Sequence, residues 1–414
     1  MVRSFTSVVA AVTICGLLTC LAPSPWTAAD AQYIQHPRKQ TATKKRSDGK
    51  DTGPKQQKQA TPERAAFSAE DEDGAIIPGI ADARVWGDTE REFVRLLPQA
   101  DGPWLAISGG GSDGAYGGGV LAGWTQAGTR PEFAVVTGAS IGALIAPFAF
   151  LGSRYDDEVR KSFTTMSAAD IFEDQATADS LFDHWPLRRQ VEQRVTKALL
   201  TEIAAEHARG RRLFVATTNL DAGRRVIWNM GAIAARGDDK ALKLFRDVLL
   251  ASCSIPGFFS PVAIEVEANG KRFVEVHGDG TLTTPFFVLP EPMLSARASS
   301  RPPLNELYVI VNSKLGPEFK MPDRSIPGVL GRSIGVALTA ALRAEIALLH
   351  VGAERHRIDL RVAHVDPAFN HPSRGPFDGQ YMQALYEVGV AAGKKGTAFG
   401  ETMPGVSLRG SNAQ

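Results

Sequence analysis

Two stretches of the chain pass from a short apolar run through a glycine cluster into a helical run. Leu105 to Ile107 leads into Gly109-Gly110-Gly111-Ser112-Asp113-Gly114, then a helix from about Tyr116 to Gln126. Phe133, Val135 and Val136 lead into Gly138-Ala139-Ser140-Ile141-Gly142, then the apolar run Ala143 to Leu151. Short runs rich in β-branched residues predict buried strands, and a run apolar on all sides predicts a buried helix. Pro147 inside that run predicts a kink or a register shift.

The same pattern continues downstream. Further helices are expected over 89–97, 156–163, 186–209, 238–251, 329–353 and 378–394, and further strands over 213–217, 226–228, 273–276, 307–311 and 360–365. Leu187, Val191, Val195, Leu199 and Ile203 recur at helical spacing, which predicts one packing face through 186–209. On the 329–353 helix, Arg343, Glu345 and Glu354 mark the expected solvated face. Strands alternating with helices predict an α/β fold, a mostly parallel central sheet with helices on both faces.

Composition sets the limits of this domain. The chain has 414 residues, a formal net charge of +1 and 43% hydrophobic residues. This near-neutral balance leaves no electrostatic footprint for nucleic acid. Residues 1–31 read as a signal peptide: Arg3 supplies positive charge, Val8 to Ala22 is mostly apolar, and Ala29-Asp30-Ala31 fits a small-x-small cleavage site. Export to the periplasm or outside is then expected. A second reading is lipidation at Cys20, preceded by Leu17-Leu18-Thr19. Residues 32–100 form a polar, basic tether and lead-in, 101–400 the main domain with a C-terminal helical extension, and 401–414 a tail. The tether carries Arg38, Lys39, Lys44, Lys45, Arg46, Lys50, Lys55 and Lys58. It buries too little surface to fold alone, and its charge suits peripheral contact with anionic lipid headgroups. After cleavage only Cys253 remains, so an intramolecular disulfide and a cysteine metal cluster are excluded.

The candidate chemistry lies on three turns. Ser140, flanked by Gly138 and Gly142, fits G-x-S-x-G between a strand and a helix, where a nucleophile sits on a sharp turn beside unpaired helix N–H groups. An ordinary serine in a small-residue turn fits the same letters. The loop Gly109 to Gly114 can bind an anion through backbone N–H groups. It also matches G-x-G-x-x-G, a dinucleotide-binding turn, for which Glu132 has about the right spacing but precedes its strand. Gly117, Gly118 and Gly119 early in the next helix imply close backbone approach, to a ligand or a neighbouring strand. The third turn is His277-Gly278-Asp279-Gly280-Thr281 at a strand end. A carboxylate there can accept a serine proton, although Asp-Gly pairs also simply make turns. Between them, Ala251 to Pro261 is turn-rich with two phenylalanines, suited to lining a pocket or packing in the core.

In this order the three turns resemble the patatin-like phospholipase family, with its G-G-G-x-x-G loop, G-x-S-x-G elbow and later D-G-[GA]. Ala251 to Pro261 resembles the family's A-S-x-x-x-P-x-x-F-x-P segment. The likeness runs from about Trp104 to Pro290, and more weakly to Tyr381–Leu385. Asp113 stands where the family has a basic residue, and Thr281 where it has glycine or alanine. The resemblance implies a three-layer α/β sandwich and a lipid acyl hydrolase with a Ser140–Asp279 dyad. It implies an oxyanion held at the glycine loop (Gly109, Gly110, Gly111, Gly114) and by Ile141, an acyl-enzyme, a lipid or acyl-ester substrate, and no metal or other cofactor. Gly278 and Gly280 would shape the aspartate turn. Two alternatives stay open: a Ser–Asp–His triad using His364, His371 or His277, and a degenerate member that binds lipid or protein without catalysis.

Overall fold

Five parallel strands run from the middle of a nine-stranded sheet to one edge; two of them lead into the first two glycine turns, and the antiparallel strand Lys271–Asp279 carries the third. The computed structural model describes residues 64–177, 179–295 and 301–400. The leader, the tether to residue 63 and the tail 401–414 lie outside the described residues.

In chain order the strands are β1 (Arg84–Trp86), β2 (Trp104–Ile107), β3 (Val135–Ala139), β4 (Ser180–Phe182), β5 (Arg212–Asn219), β6 (Arg224–Asn229), β7 (Gly257–Phe259), β8 (Val262–Ala268), β9 (Lys271–Asp279), β10 (Glu306–Val311) and β11 (Asp359–His364). The helices are α1 (Ala69–Asp73), α2 (Glu90–Phe93), α3 (Gly114–Gln126), α4 (Ile141–Leu151), α5 (Asp156–Thr164), α6 (Trp185–Arg194), α7 (Lys197–Ala208), α8 (Met230–Arg236), α9 (Asp239–Ser252), α10 (Glu291–Leu294), α11 (Ile326–His356) and α12 (Gly379–Lys395). The main sheet runs β1-β6-β5-β3-β2-β10-β11, with β9 pairing β5 and β8 pairing β9. Strands β5, β3, β2, β10 and β11 are parallel to one another. β6 and β1 continue the sheet antiparallel at one edge. β4 and β7 pair separately.

Period-two alternation divides these strands between two cores. Leu105, Ile107, Val136, Leu213, Val215 and Ile310 face one core, shared with Val120 of α3, Ile145 of α4, Phe245 of α9 and Leu385 of α12. Trp104, Ala106, Val135, Phe214, Leu307 and Val309 face the other, shared with Phe93 of α2, Met293 of α10, and Leu342 and Ile346 of α11. Helices therefore cover both faces of a mostly parallel sheet, a three-layer α/β fold, as the alternation predicts.

Several details differ from expectation. The helix over 186–209 is two helices. Thr196 breaks it and caps α7, accepting from the Leu199 amide at 3.3 Å. The apolar spacing runs across the break, so periodicity conceals it. β1, within the lead-in, joins the sheet edge against β6. The helix α8 and the strand β8 were not expected. β8 turns into β9 through Asn269-Gly270, both at positive φ (53° and 75°), a tight hairpin turn that this dipeptide favours. α4 runs as one helix from Ile141 to Leu151 through Pro147.

The glycines of α3 admit a strand on one side and helices on the others: Gly117 lies against Ile310 of β10 and Asn312, and Gly118 against Val159 and Phe163 of α5. A Cβ on Gly119 would overlap the carbonyl oxygen of Tyr386, and one on Gly123 that of Val390. Gly389 and Gly393 of α12 meet the carbonyls of Tyr116 and Val120 in the same way. The two helix backbones thus touch directly. The helix cost of each glycine, about 1 kcal/mol against alanine, is offset by that contact.

Candidate active site

One edge of β5 brings the serine and the aspartate together. β6 occupies the other edge along Phe214–Asn219. On the free edge, Ala216 pairs with Ala139, the last residue of β3, and Thr217 pairs with Asp279, the last residue of β9. Ser140 follows Ala139 directly. Residues 139 apart in sequence thus become neighbours through adjacent positions of one strand. The Ser140 hydroxyl donates to Oδ2 of Asp279 at 2.7 Å.

Ser140 has φ 52° and ψ −127°, a left-handed conformation that a side-chain-bearing residue adopts at a cost of about 1–3 kcal/mol. Close packing on both sides imposes it. A Cβ on Gly138 would collide with the Gly142 backbone, and one on Gly142 with the carbonyl of Ile107. The Ser252 hydroxyl accepts from the Ser140 amide at 3.0 Å and donates to the Ala216 carbonyl at 2.7 Å. Ser252, at the end of α9, therefore pins the elbow to the same strand that carries the register. The turn places Ser140 ahead of α4, whose N-terminal dipole favours negative charge there.

Asp279 is fully buried. Its Oδ1 accepts from the Thr281 amide at 2.8 Å and the Thr281 hydroxyl at 2.7 Å. Its own amide donates to the Ser254 carbonyl at 2.8 Å. Burial pushes the carboxyl up to about 6, against the lowering effect of the Thr281 and Ser140 hydrogen bonds. A carboxyl near neutrality is suited to accepting and returning a proton. Gly280 packs on the Ala216 carbonyl and has no room for a side chain, while Gly278 sits tightly against Pro256 and Ser254. Burial and the adjacent Asp279 push the Cys253 thiol up.

The glycine loop lies over this pair. A Cβ on Gly109 would strike the Thr281 methyl and lie 3.1 Å from the Ser140 Cβ. Gly110 (φ 156°) presses on the Asn312 carbonyl, while Gly111 (φ 56°) faces open space. The Gly109 amide donates to the Pro285 carbonyl at 3.1 Å, and the Gly114 amide to the Gly111 and Ser112 carbonyls. Those two amides are engaged within the protein, so the glycines serve by their lack of side chains. Gly114 packs against Ile141. The Gly110 amide has no acceptor among the described residues.

Asn312, just past β10, holds the loop from beneath. Its amide donates to the Ser108 hydroxyl at 2.9 Å, its Nδ2 to the Ser108 carbonyl at 2.8 Å, and its Oδ1 accepts from the Gly117 amide at 3.0 Å. From above, the Phe377 amide donates to the Ser112 hydroxyl at 2.8 Å, and the Tyr381 hydroxyl to Asp113 at 2.8 Å. Burial pushes Asp113 up to about 6. The residue that departs from the family pattern is thus a tie to α12.

An apolar cavity of about 70 Å³ is walled by Ile141, the residue after Ser140, though not by Ser140 itself. Leu144, Phe148, Phe163, Val191 and Met382 are among its walls. Ala251–Pro261 does not line it. Phe258 and Phe259 instead pack with Phe182, and Phe259 with Phe172, around the β4–β7 pair.

No histidine is hydrogen-bonded to Ser140 or Asp279 among the described residues. His277, fully buried, shares Nδ1 with Thr217 at 3.0 Å and Nε2 with Glu275 at 3.0 Å, and Glu275 is held by Arg84. His364 contacts the Val365 carbonyl and the exposed His371 that of Pro372. Glu132 is exposed, paired with Arg209, and precedes β3, so no carboxylate ends the strand where a dinucleotide site needs one. Among the described residues no group of histidine, cysteine and acidic side chains is placed to hold a metal.

Residues 105–289 match the model of the family described as patatin-like phospholipase. No curated protein matches the chain. Among solved structures, VipD from Legionella pneumophila is similar at a TM-score of 0.36 and 12% identity, over 72% of this chain and 67% of VipD.

Proposed function

The chain carries a domain of the patatin-like phospholipase family, a family of lipid hydrolases, and from that premise we propose that it cleaves lipid acyl esters with a Ser140–Asp279 dyad. Asp279 Oδ2 takes the Ser140 proton as Oγ attacks the ester carbonyl carbon. The carbonyl π electrons move to oxygen, and the amides of Gly110 and Gly111, with Ile141 at the head of α4, stabilise that charge. Collapse expels the alcohol, which leaves with the proton from Asp279. Water then attacks the acyl carbonyl carbon as Asp279 takes its proton; collapse breaks the bond from Ser140 Oγ to the acyl group, Asp279 returns the proton to Oγ, and the fatty acid leaves. The apolar cavity at Ile141 suits the acyl chain.

The observation that carries this reading is the 2.7 Å hydrogen bond between a serine at positive φ and a carboxylate titrating near 6. Against the triad alternative, no histidine is hydrogen-bonded to either residue among the described residues, and the degenerate alternative has to explain why both residues are present and paired.

The test is hydrolysis of a short acyl nitrophenyl ester and of a lipid panel followed by mass spectrometry. Ser140→Ala and Asp279→Asn each abolish turnover, whereas His277→Ala, His364→Ala and His371→Ala retain it. Activity surviving in Asp279→Asn but lost in one histidine variant overturns the dyad. No hydrolysis of any lipid by the wild type leaves the binding reading. Residues 1–31 are proposed to direct export and the basic tether to touch anionic membrane; deleting Tyr33–Lys58 without loss of binding to anionic vesicles ends the second idea.

A further inference from the structure

The helix α11 has the wrong outer surface for a helix facing water. Its C-terminal half is anchored in the domain: Leu342, Ile346, Leu349, Gly352 and Ala353 are buried, with Gly352 against Leu294 of α10. Its N-terminal half is not. Ile326 is 83% exposed, and Val329 and Val336 51% each. From Ser333 to Leu342 there is no charged residue. A surface helix ordinarily turns charged and polar groups outward. The segment before α11 adds Phe319 and Met321, 90% and 79% exposed. Exposed large apolar side chains gathered in one place mark an interaction surface.

Charge narrows the partner. Between residues 314 and 343 lie Lys314, Lys320, Arg324, Arg332 and Arg343 against Glu318 and Asp323, five positive minus two negative, a net +3. Lys314 is paired with Glu318, while Lys320 and Arg324 have no ion pair among the described residues. An apolar strip edged by cations suits the boundary between anionic headgroups and acyl chains.

The strip also continues to the candidate active site. Leu330 lies at Gly257, and Phe258 lies at Gly331. The same loop holds Ser252 and Ser254 on the Ser140–Asp279 pair. Leu282, three residues past Asp279, is 41% exposed.

We propose that the N-terminal half of α11, with Phe319 and Met321, is a docking surface for an anionic lipid bilayer, lying in its interface. α11 is long and apolar enough to cross a membrane by length and composition. Its packed C-terminal half fixes it to the domain instead, so it lies along the surface. That the docked site then faces its substrate rests on the hydrolase reading; the docking itself does not.

The test uses the full-length Ser140→Ala protein, so that binding is read without turnover and the two readings fail separately. Its partition into vesicles of phosphatidylcholine and phosphatidylglycerol is compared with that of the same protein carrying Phe319→Ser, Ile326→Ser and Val329→Ser. A loss of about tenfold or more is expected, and Lys320→Glu with Arg324→Glu weakens partition on the anionic vesicles alone. All five side chains are exposed, and an unchanged melting temperature confirms folding. Partition unchanged in both variants overturns the proposal. So does a finding that the serine variants only convert a dimer to a monomer, which gives the face to a second copy.

Discussion

Thr281 donates both its amide and its hydroxyl to Oδ1 of Asp279 and so leaves Oδ2 to Ser140. Thr281 therefore orients the carboxylate and holds its pKa below what burial alone would set. Thr281→Val keeps the shape and removes the hydroxyl. The acid limb of the kcat/KM profile, expected near pH 6, then moves up by about one pH unit, the order of one hydrogen bond to a charged group. Thr281→Ser leaves it in place. A titration of ester hydrolysis against pH reads the shift, and an unmoved limb in the valine variant contradicts the orienting role.

Asp279 is also a stability liability. Its folded pKa of about 6 lies above the ordinary 3.8, so the folded state holds the proton more tightly than the unfolded chain. Stability is thus lost as pH rises from about 4 to 6, by roughly 3 kcal/mol at most for this group. Asp279→Asn, neutral at every pH, is expected to unfold later than wild type at pH 8 and to lose most of that advantage at pH 4. Denaturant melts at the two pH values check it; a difference independent of pH rules out the ionisation as its source.

Ser252→Ala withdraws the acceptor from the Ser140 amide and the donor from the Ala216 carbonyl. Leaving buried polar groups unpaired costs about 1–3 kcal/mol each. Because one of them is the amide of the strained serine, kcat falls more than KM rises. Steady-state kinetics beside a thermal melt separate the two effects. A variant less stable but with unchanged kcat would show that Ser252 supports the fold only.

Gly119→Ala puts a Cβ onto the Tyr386 carbonyl and pushes α12 off α3. Overpacking of this kind costs about 1–3 kcal/mol. The melting temperature drops, and the Asp113–Tyr381 tie loosens with it. Gly128→Ala, which has open space around it but a positive φ of 71°, is a control for backbone strain without a clash.

The three site turns were legible because each is a local pattern: a strand, a fixed spacing of glycines and a polar residue between them. Ser252 and Asn312 left no such trace. They act on backbone 112 and 195 residues away, and an isolated serine or asparagine carries no sign of its partner. The split between α6 and α7 was hidden because Val195 and Leu199 keep the apolar spacing across it. Asn269-Gly270 was a readable hairpin signal that would have supplied β8. On α11 Arg343 and Glu354 are exposed as their charge predicts, while Glu345 is half-buried. Periodicity reports that a helix has two faces, and here the apolar one extends past the domain it packs on.

The close fit of α12 on α3 has a temporal consequence. The glycine loop leads directly into α3, and its Ser112 and Asp113 are tied to Phe377 and Tyr381, near the far end of the chain. During synthesis, the serine, the aspartate and the loop all emerge well before the helix that clamps them. A nascent chain therefore holds the serine, the aspartate and the glycine loop before α12 can close on them, and the Asp113–Tyr381 tie is the last of their contacts to form.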